Sequence, residues 1–213
     1  MASDGVLSRL AATDRLLVQQ VFKPVGNEYR ISVPSPGSTE EGVPVLFVRQ
    51  KKLAIKEDIR FRLSPDGDDR HLFRIRSKTV FEFAGKHDVV DDHDQLIGSL
   101  GKAFGKSLLR SHWYVYDAQG RQVLEAQEAS LAVALIRRFI GFIPLVGDYL
   151  GVLQWLPFNF VLRRGEDEVG RYARVLGKLR DRYVLELQPG AAGDVDRRLL
   201  VAFAVALDAL QDR

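Results

Sequence analysis

The sequence predicts a mainly β protein, a closed antiparallel barrel of roughly twelve strands that encloses a hydrophobic C-terminal α-helix. Apolar and polar residues alternate with a period of two through most of residues 16–188, which is typical of half-buried strands. Residues 199–207 (LLVAFAVAL) are all apolar, and a helix that is apolar on every side is buried or spans a membrane. Because nine residues are far fewer than the ~20 that a bilayer requires, we expect the sheet to enclose this helix.

The C-terminal helix is predicted over residues 194–211. We expect Asp194 to cap its first turn and Asp196 to lie within that turn, where a carboxylate interacts favourably with the helix dipole. Polar residues follow the apolar stretch, so Asp208 is expected to return to water at the far end. A barrel of about twelve strands has an interior too wide for strand side chains alone to fill, and the helix supplies the missing volume.

Short turns rich in Asp and Gly separate the alternating segments, which is the pattern of successive β-hairpins. The clearest hairpin joins residues 59–63 to residues 72–76 through the sequence SPDGDD at residues 64–69. Further hairpins have their turns at residues 91–94, 117–120 and 163–168. Short connections of this kind predict a meander, in which each strand pairs with the next one along the chain.

Residues 131–156 depart from this pattern, because they are mostly apolar and do not alternate. Arg137 and Asp148 argue against a simple transmembrane helix, and Pro144 favours two short helices with a break between them. We therefore predict a short helical insertion, which either covers an end or edge of the barrel or presents an apolar surface to a membrane or a protein partner. The candidate residues of that surface are Phe139, Phe142 and Trp155.

Composition narrows the class of protein. The chain has 213 residues, of which 46% are hydrophobic, and a formal net charge of +3, which is too small to indicate a nucleic-acid partner. It has no cysteine, which excludes disulfides, thiol nucleophiles and zinc–thiolate sites. Acidic residues come early in the sequence and no apolar core follows them, so we expect no signal peptide and a cytoplasmic protein. Residues 1–14 are expected to form a mobile segment, and residues 15–213 a single barrel domain.

No set of residues has the spacing of a catalytic site, so we expect no enzymatic activity and no cofactor. Residues 87–94 (HDVVDDHD) contain the ligand types of a metal site, but a strand points His87 and Asp88 to opposite faces. Turns favour Asp because its carboxylate accepts hydrogen bonds from the local backbone. We predict a solvated hairpin turn without metal there, with a weak divalent-cation site as the alternative. Ser111 and His112 are neighbours, but the sequence places no acid to complete a triad.

Basic residues on two paired strands are the clearest candidates for a binding surface. Alternation places Arg60 and Arg62 on one face of their strand, and Arg74 and Arg76 on one face of the next. Since the apolar residues between them face the barrel interior, the four arginines are expected to face outward. Such a face either is simply solvated or binds an anionic lipid or another phosphate-bearing surface.

Several stretches of the sequence also carry a resemblance to a known family. They are VRQKKLAIKEDIRF, LFRIRSK, HDVVDDHDQLIGSL, KAFGKSLLRSHWYVYDAQG, LPFNF, RDRYVLEL and DRRLLVAFAVALDAL. In this order they resemble the LURP-one-related family, and through it the tubby C-terminal domain and the phospholipid scramblases. The resemblance implies a twelve-stranded barrel around a hydrophobic C-terminal helix. Tubby domains bind phosphoinositides and scramblases are linked to lipid redistribution, but no position here matches a tubby phosphoinositide site.

These observations favour a non-enzymatic barrel that acts as a peripheral lipid-binding module at the inner face of the membrane. The outward-facing arginines, the apolar segment at residues 131–156 and the family resemblance support this hypothesis. The alternative is a soluble protein-interaction or scaffold domain, in which residues 131–156 contact another protein or a second copy of the chain.

Overall fold

A computed structural model describes most of the chain. The described residues are 2–22, 27–35, 37–50, 58–65, 70–77, 86–103, 111–129, 159–175, 182–191 and 193–210. Within them the chain forms helices α1 (Ala2–Ala11) and α2 (Arg197–Ala209). The strands are β1 (Arg15–Phe22), β2 (Asn27–Val33), β3 (Val43–Gln50), β4 (Asp58–Arg62), β5 (Phe73–Ser77), β6 (Lys86–Asp91), β7 (Leu96–Lys102), β8 (His112–Asp117), β9 (Gln122–Glu128), β10 (Asn159–Arg164), β11 (Asp167–Arg174) and β12 (Arg182–Leu187).

The twelve strands form one closed antiparallel barrel in meander order. Each strand pairs with its neighbours in sequence, and β1 pairs with β12 to close the ring, with Arg15 opposite Glu186 and Leu17 opposite Val184. Closure gives every strand two partners, so no sheet edge is left with unpaired backbone groups. The prediction of a closed antiparallel barrel of roughly twelve strands is confirmed.

Alternation along the strands separates the interior of the barrel from its surface. On β4 and β5, Ile59, Phe61, Phe73 and Ile75 are completely buried. Phe61 lies opposite Phe73, and their rings stack with centroids 4.2 Å apart. A period of two puts the residues between them on the outer face.

Helix α2 occupies the barrel interior, as predicted. Every residue from Leu199 to Leu207 is at most 2% exposed. The Phe203 ring meets the edge of Trp113 on β8, with the centroids 6.4 Å apart. The closest approach needs a glycine: a Cβ atom at Gly98 on β7 would lie 2.9 Å from Leu199 and 2.2 Å from a backbone oxygen of β8. Gly98 therefore lets the helix pack directly against β7.

The beginning of α2 differs from the prediction. The capping residue is Asp196, whose side chain accepts a hydrogen bond from the backbone N–H of Arg198. Asp194 lies before the cap, where it binds Arg164 at the end of β10. The prediction that Asp194 caps the helix is wrong. Aspartate suits a cap at either position, but the helix begins at Arg197, and Asp194 binds Arg164 instead.

The end of α2 differs as well, because Asp208 does not return to water. It is only 5% exposed. Its two carboxylate oxygens accept hydrogen bonds from the hydroxyl groups of Tyr29 on β2, at 2.9 Å, and Tyr183 on β12, at 2.7 Å. Nearby, the Gln50 side chain donates to the backbone carbonyl of Ala209 at 3.4 Å. A buried carboxylate is tolerated here because polar side chains of the strands satisfy its oxygens.

Residues 1–14, expected to be mobile, contain helix α1. Leu10 is completely buried in the core, while Val6 and Leu7 are partly buried against it. The helix contacts α2 and β3. A helix of ten residues is marginal in isolation and depends on such packing, which explains why the local sequence did not predict it.

The enclosed helix predicts a sharp contrast between two identical substitutions. Ala204→Asp would place a carboxylate inside the closed core, at a cost of several kcal/mol that is comparable with the stability of a whole domain. Ala209→Asp lies at the partly exposed end of the same helix, where the new carboxylate can reach water. Beside Asp208 at the helix C-terminus it should cost roughly 1–2 kcal/mol. Circular dichroism and thermal melting would show a folded Ala209→Asp variant and an unfolded or insoluble Ala204→Asp variant. A cooperative transition for Ala204→Asp near that of the wild type would contradict the fold.

The buried carboxylate gives a second prediction. Asp208→Ala would remove the carboxylate to which the hydroxyls of Tyr29 and Tyr183 donate, so we expect a loss of about 2–5 kcal/mol in the free energy of unfolding. Tyr29→Phe removes one of the two hydrogen bonds and should lose less. Urea denaturation of both single variants and of the double variant would show strong non-additivity, because the two side chains share one interaction. Additive losses would mean that the hydrogen bond contributes nothing.

Candidate functional site

The pairing of β3, β4 and β5 places three arginines side by side on the outer face of the barrel. Arg49 lies opposite Arg60, and Arg60 lies opposite Arg74. We call these three residues the arginine row. Like charges directly opposite each other on neighbouring strands destabilise a sheet, so the arginine row is an arrangement that fold stability alone does not favour.

The other two predicted arginines differ from each other. Arg76 lies opposite Asp58 and Asp88 on the same outer face, and its side chain is 39% exposed. Arg62 is only 5% exposed, at the point where the chain leaves β4, and it lies opposite Phe47. Of the four predicted residues, the structure brings Arg60, Arg74 and Arg76 together at the surface and buries Arg62.

Two carboxylates lie among these arginines. Asp58 accepts a hydrogen bond from Nε of Arg60 at 2.8 Å and lies 4.0 Å from Arg74. Asp94, in the turn after β6, accepts a hydrogen bond from Arg74 at 2.7 Å and lies 3.7 Å from Arg76. The Arg74 guanidinium holds the pKa of Asp94 below its usual value, mainly through this hydrogen bond. Both carboxylates therefore partly neutralise the face.

Arg49, at one end of the arginine row, has a different environment. Its side chain is exposed and lies opposite Glu28 on β2. No carboxylate of the described residues comes within 4.0 Å of the Arg49 guanidinium to form an ion pair. Nothing in the sequence distinguishes Arg49 from the other basic residues around it. Its importance comes from the register of β3 against β4, which only the folded sheet defines.

The strands on the other side of the arginine row add apolar, aromatic and cationic side chains. Arg74 lies opposite Val90, and Val90 opposite Leu96, which is 43% exposed. The ammonium group of Lys86 makes a cation–π contact with the ring of Tyr116 on β8, 4.7 Å from the ring centroid. The outer face from β3 to β8 thus combines the exposed Arg49, Lys86 and Leu96 with the partly exposed Arg60, Arg74 and Tyr116, whereas Val90 and Asp88 on the same face are buried.

The turn at residues 91–95 uses its own aspartate, as predicted. One carboxylate oxygen of Asp91 accepts hydrogen bonds from the backbone N–H groups of His93, at 2.9 Å, and Gln95, at 2.8 Å. The turn after β8 repeats this arrangement, with Asp117 accepting from residues 119 and 121 at 3.0 and 2.8 Å. Within the described ranges no three His, Asp or Glu side chains are grouped so that they could hold a metal ion.

The structure also supplies an acid that the sequence did not place near His112. Nδ1 of His112 lies 3.2 Å from a carboxylate oxygen of Glu125, because β8 pairs with β9. Ser111 does not complete a triad, since its backbone N–H lies 3.5 Å from Glu128 and no described hydroxyl group contacts the His112 ring. The pair is therefore a hydrogen-bonded contact between His112 and Glu125 on the barrel wall.

A cleft of about 460 Å³ lies where α1 meets the beginning of α2, lined by Leu7, Leu10, Ala11, Gly193, Asp194, Val195, Asp196, Arg197 and Arg198. Its two cations have carboxylate partners. Arg197 binds Asp14 at 2.9 Å, and Arg198 binds Asp196 at 2.6 Å. The hydrogen bond from Arg198 to Asp196 raises the pKa of the arginine. This cleft offers less free positive charge than the outer face at the arginine row.

The predicted apolar surface lies outside the described residues. Phe139, Phe142 and Trp155 belong to the segment between β9 and β10, of which residues 130–158 are not described. The prediction of a helical insertion there stays a prediction. Neither described helix is both long and apolar enough to cross a bilayer.

Together these features define a closed twelve-stranded barrel around a central helix, with a cationic outer face and no described catalytic centre. The sequence model of the LURP-one-related family matches residues 45–208, which is more than half of the chain. The chain therefore belongs to the LURP-one-related family, whose members are generally considered non-catalytic. A comparison with curated proteins finds no significant match.

The turn at residues 91–95 allows a test with a neighbouring control. Asp91→Ala removes the acceptor of two backbone N–H groups and should lower the free energy of unfolding by about 1–2 kcal/mol, as the loss of a helix cap does. Asp92→Ala, in the same turn, should change it by less than about 0.5 kcal/mol. Urea denaturation measures both values. Micromolar binding of Zn²⁺ or Ca²⁺ to the wild type in calorimetry, lost in Asp91→Ala, would instead indicate a metal site.

Proposed function

We propose that this protein is a peripheral membrane module whose outer face at β3–β8 binds anionic lipid head groups at the inner face of the membrane. The arginine row is the observation that carries this proposal. Three adjacent like charges on paired strands repel one another, and an anionic surface relieves that repulsion. Each basic residue close to such a surface contributes up to ~1 kcal/mol of binding.

Neighbouring side chains suit the same surface. Tyrosine and lysine are favoured at the level of lipid head groups, where a ring or a long side chain has one polar and one apolar end. Tyr116 and Lys86 lie on this face, and the exposed Leu96 provides an apolar contact beside the arginine row. The proposed interaction is therefore mainly electrostatic, with a small apolar contribution.

The segment at residues 131–156 is proposed to add a second apolar contribution through Phe139, Phe142 and Trp155. Binding by one weak term is marginal and reversible, so stable attachment to a membrane usually combines two terms. The electrostatic term should weaken as salt shortens the Debye length from about 10 Å at 0.1 M to about 3 Å at 1 M. The apolar term should be insensitive to salt.

Vesicle flotation tests the proposal. A variant with Gln in place of Arg49, Arg60 and Arg74 should bind vesicles of phosphatidylcholine and phosphatidylserine roughly 10- to 100-fold more weakly than the wild type, and salt should weaken the wild type more. The control has the same change of charge on β10, β11 and the turn before β9, with Gln in place of Arg121, Arg164 and Arg171, and should bind nearly as well as the wild type.

Two other outcomes would contradict the proposal. Equal losses in both variants would mean that only net charge matters and that the arginine row has no special role. If the wild type does not float with anionic vesicles although its thermal melt is cooperative, lipid binding is wrong. The protein-interaction or scaffold function would then be the better hypothesis.

A further inference from the structure

The carboxylate of Asp94 contacts Arg74 of the arginine row and the neighbouring Arg76. One of its oxygens accepts a hydrogen bond from Nη2 of Arg74 at 2.7 Å and lies 3.7 Å from Nη1 of Arg76. We propose that Asp94 is a built-in competitor for the head-group site, which an incoming phosphate must displace from Arg74 and Arg76. The proposal rests on the function proposed above and adds its regulation.

A comparison of two turns in this chain supports a role for the Asp94 side chain. The turns at residues 91–95 and 117–121 have the same pattern of hydrogen bonds from an initial aspartate. The fourth position has a positive φ in both, 61° at Asp94 and 78° at Gly120. Glycine adopts this conformation without a steric penalty, and aspartate is one of the few other residues that adopt it, at a modest cost. Asp94 is thus less favourable for the turn than glycine, and its carboxylate contacts the arginines.

The contact is also one that a ligand can displace. The Asp94 side chain is 56% exposed, and an ion pair at the surface contributes little to stability. Among the described residues, the buried Nε–H group of Arg74 has no hydrogen-bond partner, so its guanidinium is incompletely satisfied. Asp94 lies on a turn and can leave the arginines without any change in the strand pairing.

The charge of the ligand decides how well it competes. Asp94 is anionic at neutral pH, since the pKa of its carboxyl group is lowered by Arg74, and its attachment to the chain gives it a high effective concentration. A head group with a single negative charge gains little over it. A phosphomonoester carries about −1.5 to −2 charges and three acceptor oxygens, so it can engage Arg74 and Arg76 together. The site should therefore prefer phosphomonoester head groups.

The experiment compares two aspartates of one turn. Asp94→Asn and Asp92→Asn remove the same charge from side chains that are 56% and 54% exposed, and within the described residues Asp92 forms no ion pair with Arg74 or Arg76. Binding is measured by flotation with phosphatidylcholine vesicles containing phosphatidylserine or phosphatidic acid at matched surface charge. Asp94→Gly serves as a second variant, since the turn at residues 117–121 has a glycine, Gly120, at the equivalent position.

We expect the wild type to prefer phosphatidic acid vesicles. Both Asp94 variants should bind phosphatidylserine vesicles about five-fold more tightly than the wild type and lose most of the preference, whereas Asp92→Asn should behave like the wild type. Equal gains in the Asp92 and Asp94 variants would overturn the proposal and leave lipid binding intact. If the arginine-row variant loses binding but Asp94→Gly has no effect, the competitor role of Asp94 is likewise wrong, and lipid binding by the arginine row stands.

Calorimetry with glycerol 3-phosphate separates a membrane ligand from a soluble phosphate. We expect no measurable binding to the wild type, because the free compound lacks the remaining contacts of a vesicle surface. If glycerol 3-phosphate binds and Asp94→Gly strengthens that binding while no variant floats with vesicles, the competitor role of Asp94 is supported and the membrane function is wrong. No binding of any variant to vesicles or to glycerol 3-phosphate overturns both.

Discussion

The burial of α2 inside the closed barrel is the interaction on which the rest of the structure depends. The side chains of residues 199–207 have no exposed face, and only a surrounding sheet can remove them all from water. The sheet in turn needs the helix, because the interior of a twelve-stranded barrel is too wide for strand side chains to fill. On the strands, Gly98 leaves room for Leu199 of the helix, and Trp113 packs against Phe203. Barrel and helix are therefore stable only together.

The two-residue period and the apolar helix were sufficient to predict the fold, because both patterns are local and repeat many times along the chain. Errors arose where distant residues meet. In the sequence, Asp208 is the first polar residue after the apolar stretch and therefore looks like the exposed end of the helix. In the structure it is buried against Tyr29 and Tyr183, which are remote in sequence. Asp194 likewise binds Arg164, which lies 30 residues away in sequence, while Asp196 caps the helix.

The candidate site was only partly predictable for a related reason. Alternation correctly placed Arg60 and Arg74 outside, but it does not say which residue lies opposite which. The register of β3, β4 and β5 brings Arg49 into the arginine row, and the end of β4 buries Arg62. Likewise, the partner of His112 comes from the pairing of β8 with β9. Alternation in the sequence predicts which face of the sheet a side chain lies on, whereas only the register of the folded sheet shows which side chains lie next to it.

The treatment of charge differs between the interior and the surface, and this difference favours a binding role for the outer face. At the buried end of α2, two tyrosine hydroxyl groups donate hydrogen bonds to Asp208, as the low dielectric of the interior requires of a buried polar group. On the outer face, three arginines lie directly opposite one another, and Arg49 forms no ion pair within the described residues. Water screens the repulsion between these arginines, but their arrangement does not stabilise the sheet. An anionic partner would turn the repulsion between these arginines into binding energy.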